Sequence, residues 1–162
     1  MLLPLATIIF SFEKPSISAK RKAGMYALIN NSAWTAKIYY AYIDTSSDCD
    51  ACIVEFPTGL EASDPNHERT LHIEGFDTTS IPQTQIIIDI PYFKNFGIYK
   101  IDSSDSKSAT ASYVCPLGDL ATSGVIAVSQ LSDSNVQGTF NFITERGVRI
   151  RSGYFNIKLV NK

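Results

Sequence analysis

Apolar and polar residues alternate along most of the chain after Met25, and the C-terminal segment shows this most clearly. In NVQGTFNFIT one face collects Val136, Gly138, Phe140 and Phe142, and the other face collects Gln137, Thr139 and Asn141. Glu145 to Gly147 then breaks the pattern, and the glycine supplies the positive φ that a tight turn needs. Alternation resumes in VRIR and, after Ser152 and Gly153, in YFNIKL. A period of two on both sides of a turn predicts a C-terminal β-hairpin.

The segment AWTAKIYYAYI places aromatic or apolar residues at every second position from Trp34 to Tyr42. Treated as one strand, it directs Tyr40 and Tyr42 to the same face as Trp34. Tyr39 then lies on the opposite face beside Lys37, so it is the tyrosine predicted to reach solvent.

Two further segments carry strand patterns. RTLHIEGF places Leu71 and Ile73 on one face and His72 and Glu74 on the other. TQIIIDIPYF is more uniformly apolar from Ile86 to Ile90, as expected of a strand buried on both faces.

No window of about a dozen residues sustains a helical stripe, and the connecting segments EASDPNHE, DSSDSKS and SQLSDSN are polar. Many short strands separated by such turns are typical of an antiparallel sandwich or barrel. The sequence therefore predicts a single all-β domain of about eight to ten antiparallel strands.

The first residues differ from the rest. Residues 1–12 are apolar apart from serine and threonine and carry no charge, and this run is too short to span a bilayer as a helix. Its length is that of a signal-peptide core, so residues 1–19 are predicted to be a signal peptide or apolar N-terminal segment; the alternative is an N-terminal β-strand. Export to the periplasm or cell envelope is the expected location, with proximity to a membrane but no transmembrane helix.

Net charge argues against one class of partner. The 162 residues carry a formal charge of -2, and the basic residues are scattered apart from the run Lys20 to Lys22. Because nucleic-acid binding depends on clustered positive charge, no nucleic acid is expected as a partner.

Two stretches carry a resemblance to a known family. ALINNSAWTA near the start and VQGTFNF followed by VRIRSGYFNIKL at the end resemble small Bacteroidetes envelope proteins and lipoproteins of unassigned function. That family opens with ING-x-x-W-x-A and closes with GTF-x-F … V-x-I-x-x-G-x-F-x-I; here Asn31 and Ser32 replace the turn glycine, and the lipidation cysteine is missing. The resemblance implies one β-domain over roughly residues 24–161, a location in the cell envelope and no particular activity. A lipocalin-like barrel is a weaker analogy of shape, in which Trp34 would pack against Arg149 or Arg151, but Ser32 stands where lipocalins have glycine.

Cys49 and Cys52 are three positions apart, as in redox dithiols and half zinc sites. They precede a strand-like segment and lie among Asp44, Asp48 and Asp50, whose charge disfavours a thiolate. A zinc site would need Cys115 and His67 or His72 as further ligands, without the usual paired spacing. The three cysteines are therefore predicted to be structural, with one disulfide formed by Cys49–Cys52 or by either of them with Cys115.

Other catalytic and metal-binding patterns are weak. No GxSxG elbow is present, and the acidic segment DSSD at 102–105 lacks the spacing of an EF-hand loop. A carboxylate pair formed by Asp89 with Glu55 or Glu74 would suit glycoside hydrolysis, but no pattern singles it out. No catalytic residue, metal or cofactor is predicted, and a carboxylate-dependent hydrolase remains the alternative.

Two aromatic-rich stretches offer surfaces for recognition. Tyr39 in the first, and Phe93 and Phe96 in the second, are the aromatic residues predicted to face solvent. The sequence therefore favours a non-enzymatic binding or interaction module for a protein partner, a glycan or a small apolar ligand. A purely structural accessory subunit is a further alternative.

Overall fold

The computed structural model describes residues 22–45 and 69–160, and the predicted N-terminal segment 1–19 lies outside them. Within this part the chain forms ten β-strands and no helix, which confirms the predicted all-β class. The strands are β1 Gly24–Ile29, β2 Ser32–Thr35, β3 Ile38–Asp44, β4 Thr70–Asp77, β5 Thr84–Ile90, β6 Gly97–Asp102, β7 Thr110–Val114, β8 Gly118–Ser132, β9 Asn135–Thr144 and β10 Arg149–Lys158. No helix in the described ranges is long and apolar enough to cross a bilayer.

The strands pair antiparallel in one curled sheet with the order β2-β1-β10-β9-β8-β7-β5-β4-β3, and β6 also pairs with β8. The 15-residue strand β8 pairs with β7 through its first residues and with β6 further along. One strand therefore serves both halves of the sheet, and the architecture is a half-barrel.

The sheet curls until its two ends meet around one core. Gly75 of β4 lies so close to β1 and β2 that an added Cβ would be 2.6 Å from Met25 Sδ and 3.2 Å from the Trp34 ring. The Trp34 indole also donates a hydrogen bond of 2.9 Å to Thr84 Oγ1 on β5. The inner faces of the two halves thus face each other, and their outer faces point away from each other.

The predicted C-terminal hairpin is present as β9 and β10. Val136, Gly138, Phe140 and Phe142 are all buried, and Gly147 has a φ of +79° in the turn. A register shift between Ile150 and Gly153, with Ser152 at a φ of +50°, lets both Ile150 and Phe155 point inward although they are five positions apart. Arg149 and Arg151 are exposed on the outer face, so the lipocalin-like packing against the buried Trp34 is wrong.

The interpretation of AWTAKIYYAYI as one strand is also wrong. The chain leaves β2 after Thr35, and the backbone amides of Ala36 and Lys37 bond to Met25 on β1 and Phe76 on β4 respectively. These two residues carry the chain from one end of the sheet to the other. The alternation changes phase there, so Tyr39 turns inward while Tyr40 turns outward.

The uniformly apolar strand β5 is buried on one face only. Ile86, Ile88 and Ile90 are fully buried, whereas Ile87 and Asp89 on the other face are half-buried. The prediction of burial on both faces is wrong because no second layer among the described residues covers the outer face of β3, β4 and β5.

Candidate functional site

The outer face of β3, β4 and β5 carries a cluster of aromatic and ionisable side chains. The register places Tyr42 beside His72 and His72 beside Asp89, and it places Tyr40 beside Glu74. Directly opposed side chains on one face of an antiparallel sheet lie close enough to contact each other. The three strands therefore bring together side chains that are up to 49 positions apart in the sequence.

The His72 ring is held between two carboxylates. Its Nδ1 lies 2.5 Å from Asp89 Oδ1, and its Nε2 lies 3.3 Å from Glu74 Oε2. A neutral imidazole has one N–H, so it can donate to only one of these oxygens. Both contacts are attractive if the imidazole carries a proton on each ring nitrogen, or if the imidazole is neutral and one of the two carboxyl groups is protonated. The His72, Glu74 and Asp89 side chains therefore form one hydrogen-bonded group.

Glu74 is the most enclosed member of this group. The Tyr40 hydroxyl donates to Glu74 Oε2, and the Gln85 amide donates to Glu74 Oε1. Its side chain is only 9% exposed although it lies on the outer face. Burial raises the pKa of the Glu74 carboxyl above its ordinary value of 4.5; the Gln85 hydrogen bond opposes this shift, and the Asp89 charge adds to it.

Aromatic rings lie along the same face. The Tyr42 ring is stacked on the His72 ring with centroids 4.8 Å apart and an interplanar angle of 29°. Tyr40 and Tyr42 have nearly parallel rings 6.4 Å apart, and Phe76 lies 6.3 Å from Tyr40 on the other side. Because the hydrogen bonds and stacking fix these rings, the face presents an ordered aromatic row.

The outward aspartate and glutamate residues of this face are not accompanied by outward lysine or arginine residues on the same strands. Three acidic residues, Asp44, Glu74 and Asp89, occupy outward positions on β3, β4 and β5, and no lysine or arginine does. The outer face of the other half carries Lys100, Arg149, Arg151 and Lys158, with Asp102 as the acidic residue beside them. We call the first surface the acidic aromatic face, and it consists of the outward residues of β3, β4 and β5.

The acidic aromatic face combines hydrogen-bond acceptors with flat apolar rings, which suits binding of a polyhydroxylated or amine-bearing ligand. Asp89 is more accessible than Glu74, with 39% of its side chain exposed compared with 9%. Among the described residues, no group of three or more histidine, cysteine, aspartate or glutamate side chains is arranged to hold a metal ion.

The aromatic residues predicted to face solvent are placed differently. Phe93 is 2% exposed and packs against Tyr99, so its assignment to a binding surface is wrong. Tyr39 packs against the core from a half-buried position, for the phase change described above. Phe96 is exposed, as predicted, and lies between β5 and β6, so it is not one of the residues of the acidic aromatic face.

The predicted cysteine pairings cannot be followed in full, because Cys49 and Cys52 lie outside the described residues, as do Glu55 and His67. Cys115 lies half-buried after β7. The pKa of Tyr113 is raised to about 12, mainly because the hydroxyl is partly buried, and the neighbouring Cys115 thiol adds to this shift. The structural role of the three cysteines stays a prediction.

The acidic loop DSSD uses its carboxylates locally. Asp102 accepts hydrogen bonds from the Ser104 amide and hydroxyl, which lower the pKa of the Asp102 carboxyl. Asp105 accepts bonds from the Lys107 amide and the Ser108 hydroxyl. These carboxylates cap turns.

Two depressions lie away from the acidic aromatic face. One of about 450 Å³ is lined by Ile43, Arg69, Leu131, Ser132, Asp133, Leu159 and Val160. The other, of about 190 Å³, is lined by Ser123, Gly124, Asn141, Phe142, Ile143, Arg149, Ile150 and Arg151. Neither is lined by a residue of the His72 cluster.

Part of this site was within reach of the sequence. Alternation correctly placed His72 and Glu74 on the same polar face, and Asp89 with Glu74 was one of the carboxylate pairs considered. Tyr40 and Tyr42 were missed as surface residues because the break at Ala36 and Lys37 carries no glycine or proline. Lys37, which lies between two small or apolar residues, is the sequence signal that could have indicated this break.

Comparison with known protein families, with curated proteins and with solved structures finds no match to this chain.

Proposed function

We propose that this protein is a non-enzymatic binding domain of the cell envelope that recognises a glycan through its acidic aromatic face. The observation that supports this best is the stacking of Tyr42 on a His72 ring held between Asp89 and Glu74. Sugars offer an apolar ring face and a rim of hydroxyls, and this face offers rings with acceptors and donors between them. The location in the envelope rests on the family resemblance and on the apolar residues 1–12.

Rigidity favours binding by this face. The Glu74 carboxylate is fixed by Tyr40 and Gln85, and the His72 ring is fixed by two carboxylates. Side chains that are already ordered lose little conformational entropy when a ligand binds. The face is therefore preorganised for a ligand.

A glycan fits this face better than a protein partner does. The cores of protein interfaces are depleted of aspartate and glutamate. Here Glu74 lies beside Tyr40, and Asp89 lies beside the His72 ring on which Tyr42 stacks. A small apolar ligand has less support, because Met25, Phe140 and Phe155 occupy the space between the two halves of the sheet.

The hydrolase alternative draws on the raised pKa of Glu74, which suits a general acid. However, both Glu74 oxygens already accept hydrogen bonds from neighbouring side chains, and the carboxyl is nearly enclosed. An acid that must approach a glycosidic oxygen needs to be accessible. Binding without hydrolysis is therefore the better-supported activity.

Affinity electrophoresis through gels containing soluble polysaccharides tests the proposal. Hydroxyethyl cellulose, xylan, pectin and glycol chitosan are suitable probes, because they cover neutral, acidic and amino sugars. We expect at least one of them to retard the protein, and the Tyr42→Ala variant to bind about fivefold more weakly, which corresponds to about 1 kcal/mol for one ring.

Phe96→Ala is the matched control, because it removes an exposed aromatic ring outside the face. It should migrate like the unmodified protein in every gel. Circular dichroism verifies that both variants are folded. Equal retardation of Tyr42→Ala and the unmodified protein, or no retardation by any of the four polysaccharides, would refute the proposal. Release of reducing sugar from a retarding polysaccharide would instead support the hydrolase.

A further inference from the structure

A depression on the outer face of β8, β9 and β10 holds two arginine side chains. Its volume is about 190 Å³, and its lining includes Arg149 and Arg151 together with the polar residues Ser123 and Asn141. All four of these residues are exposed. The two arginines are separated by one residue on β10, so their side chains leave the same face of the sheet from Cα atoms about 7 Å apart. Both guanidinium groups therefore border the same concave surface.

Two irregularities in strand pairing explain why the surface is concave here. The β8–β9 pairing shifts register just before Ser123, and the β9–β10 pairing shifts register just after Ile150. The second shift leaves Arg151 and Ser152 opposite Asn141, with Ser152 at a φ of +50°. Bulges of this kind bend a strand and redirect its side chains. They therefore account for a hollow on a face that regular pairing would leave even.

The two guanidinium groups have no ion-pair partner within the described ranges, where the ion pairs involve His72. The backbone of Arg149 is fixed, because its amide donates a hydrogen bond of 3.0 Å to Asn30 Oδ1. Asp102 is the acidic residue on this outer face, and its carboxylate accepts hydrogen bonds from Ser104. Arginine stays protonated in proteins. The depression therefore carries two positive charges that no described carboxylate contacts.

The donors around the depression favour a tetrahedral anion. Each guanidinium group presents a planar fork of N–H donors, and the side chains of Ser123 and Asn141 add a hydroxyl and an amide. A carboxylate has two oxygens, which a single fork satisfies. A phosphate or sulfate monoester has three non-bridging oxygens, so it can accept hydrogen bonds from both forks at once. The volume is below the range of about 300–1,000 Å³ that is usual for whole drug-sized ligands, which suits a single such group.

We propose that this depression is a binding site for a phosphate or sulfate monoester, held between Arg149 and Arg151 with Ser123 and Asn141 as further donors. The site lies on the half of the sheet that does not carry the acidic aromatic face. It goes beyond the proposed function and is independent of it.

Heteronuclear NMR of the labelled protein tests this site, with the side-chain Nε–H signals of the two arginines as reporters. The probes are glucose 6-sulfate and glucuronate, which carry one negative charge each on a similar sugar ring but differ in the shape of the anion. We expect glucose 6-sulfate to shift both signals and to bind about fivefold more tightly than glucuronate, a charge-assisted hydrogen bond discounted for exposure. Equal affinity for the two probes would overturn the proposal.

Arg149→Lys and Arg151→Lys keep the charge and remove the fork, so each should weaken binding of glucose 6-sulfate about fivefold and reduce its advantage over glucuronate. Lys158→Gln is the matched control, because it removes a positive charge from the outer face of the same strand, outside the depression. It should leave the ratio of the two affinities unchanged. A loss in the arginine variants no larger than in Lys158→Gln would show only diffuse attraction and would overturn the site.

A second arm identifies the source of the ester. It measures co-sedimentation with phosphatidylcholine vesicles that contain or lack phosphatidic acid, a lipid with a phosphate monoester. Binding of glucose 6-sulfate supports the site and assigns it to an ester on a sugar. Arginine-dependent binding to the phosphatidic acid vesicles alone supports the site and assigns it to a lipid headgroup. Absence of binding in both arms would overturn the proposal and would leave the polysaccharide test of the acidic aromatic face unaffected.

Discussion

His72 Nδ1 lies 2.5 Å from Asp89 Oδ1, across the pairing of β4 with β5. The two residues are 17 positions apart, and strand register alone brings them together. The contact sets the orientation of the imidazole ring on which Tyr42 stacks. This contact and the one from His72 Nε2 to Glu74 together hold the ring in the acidic aromatic face.

We expect Asp89→Asn to loosen the His72 ring and to lower the free energy of unfolding by about 1 kcal/mol, a charge-assisted hydrogen bond discounted for the exposure of Asp89. Chemical denaturation measures the stability, and NMR of the imidazole protons measures the ring orientation. Glu145→Gln should change neither. Unchanged imidazole signals in Asp89→Asn would contradict the role assigned to this contact.

Glu74 gives a prediction about pH. Because burial raises its pKa above 4.5, the folded protein binds this proton more tightly than the unfolded chain does. Its contribution to stability is therefore fully present below pH 4.5 and is lost as the pH rises through the folded-state pKa. Glu74→Gln should remove this loss, so its stability relative to the unmodified protein should increase with pH across that window.

Urea unfolding at a series of pH values, followed by Trp34 fluorescence, measures this difference. Trp34 is the single tryptophan of the chain and is buried, so its emission reports on the core. Glu145→Gln, which removes an exposed carboxyl, should run parallel to the unmodified protein. If the stability of Glu74→Gln relative to the unmodified protein instead falls or stays constant as the pH rises, the raised pKa is contradicted.

The approach of β4 to β1 and β2 predicts the effect of filling Gly75. A Cβ there would be 2.6 Å from Met25 Sδ and 3.0 Å from Ala36 Cβ, as well as close to the Trp34 ring. Gly75→Ala should destabilise the protein by about 1–3 kcal/mol, because several core neighbours would have to move together. Gly118→Ala is the control, since an added Cβ meets nothing within 4 Å. Thermal unfolding compares them, and equal midpoints would refute the close contact.

The hydrogen bond from Trp34 to Thr84 predicts that substitutions of these two residues have non-additive effects on stability. Thr84→Val leaves the buried indole N–H without its acceptor, which should cost about 1–3 kcal/mol. Combining it with Trp34→Phe removes both partners, so the double variant should be less destabilised than the sum of the two single variants. A double-mutant cycle from urea unfolding measures this coupling, and strict additivity would show that the bond contributes nothing.

The fold class and much of the core were predictable because alternation of period two directly reports which residues share a face. Val136, Phe140, Leu71 and Ile73 point inward as the pattern predicts. The pattern assigns faces only within an uninterrupted strand. At Ala36 and Lys37 two residues shift the phase, and every face assignment from Ile38 to Tyr42 reversed.

The site was less predictable because it depends on register between strands. Sequence placed His72 and Glu74 on one side of β4, but Asp89 joins them only through the pairing of His72 with Asp89. Tyr40 and Gln85 reach Glu74 from opposite neighbours of β4. Such pairings follow from how the whole sheet is assembled, which alternation along a single segment does not encode.

The two-residue link at Ala36 and Lys37 also bears on the free edges of the sheet. A curled sheet has two terminal strands whose unpaired edges can template pairing with another molecule. Here those strands are β2 and β3, which the link joins directly, and the Val160 amide bonds to Ala41 of β3 along one edge. Among the described residues the chain thus ties its two terminal strands together and occupies part of the β3 edge, which leaves less edge for pairing with another molecule.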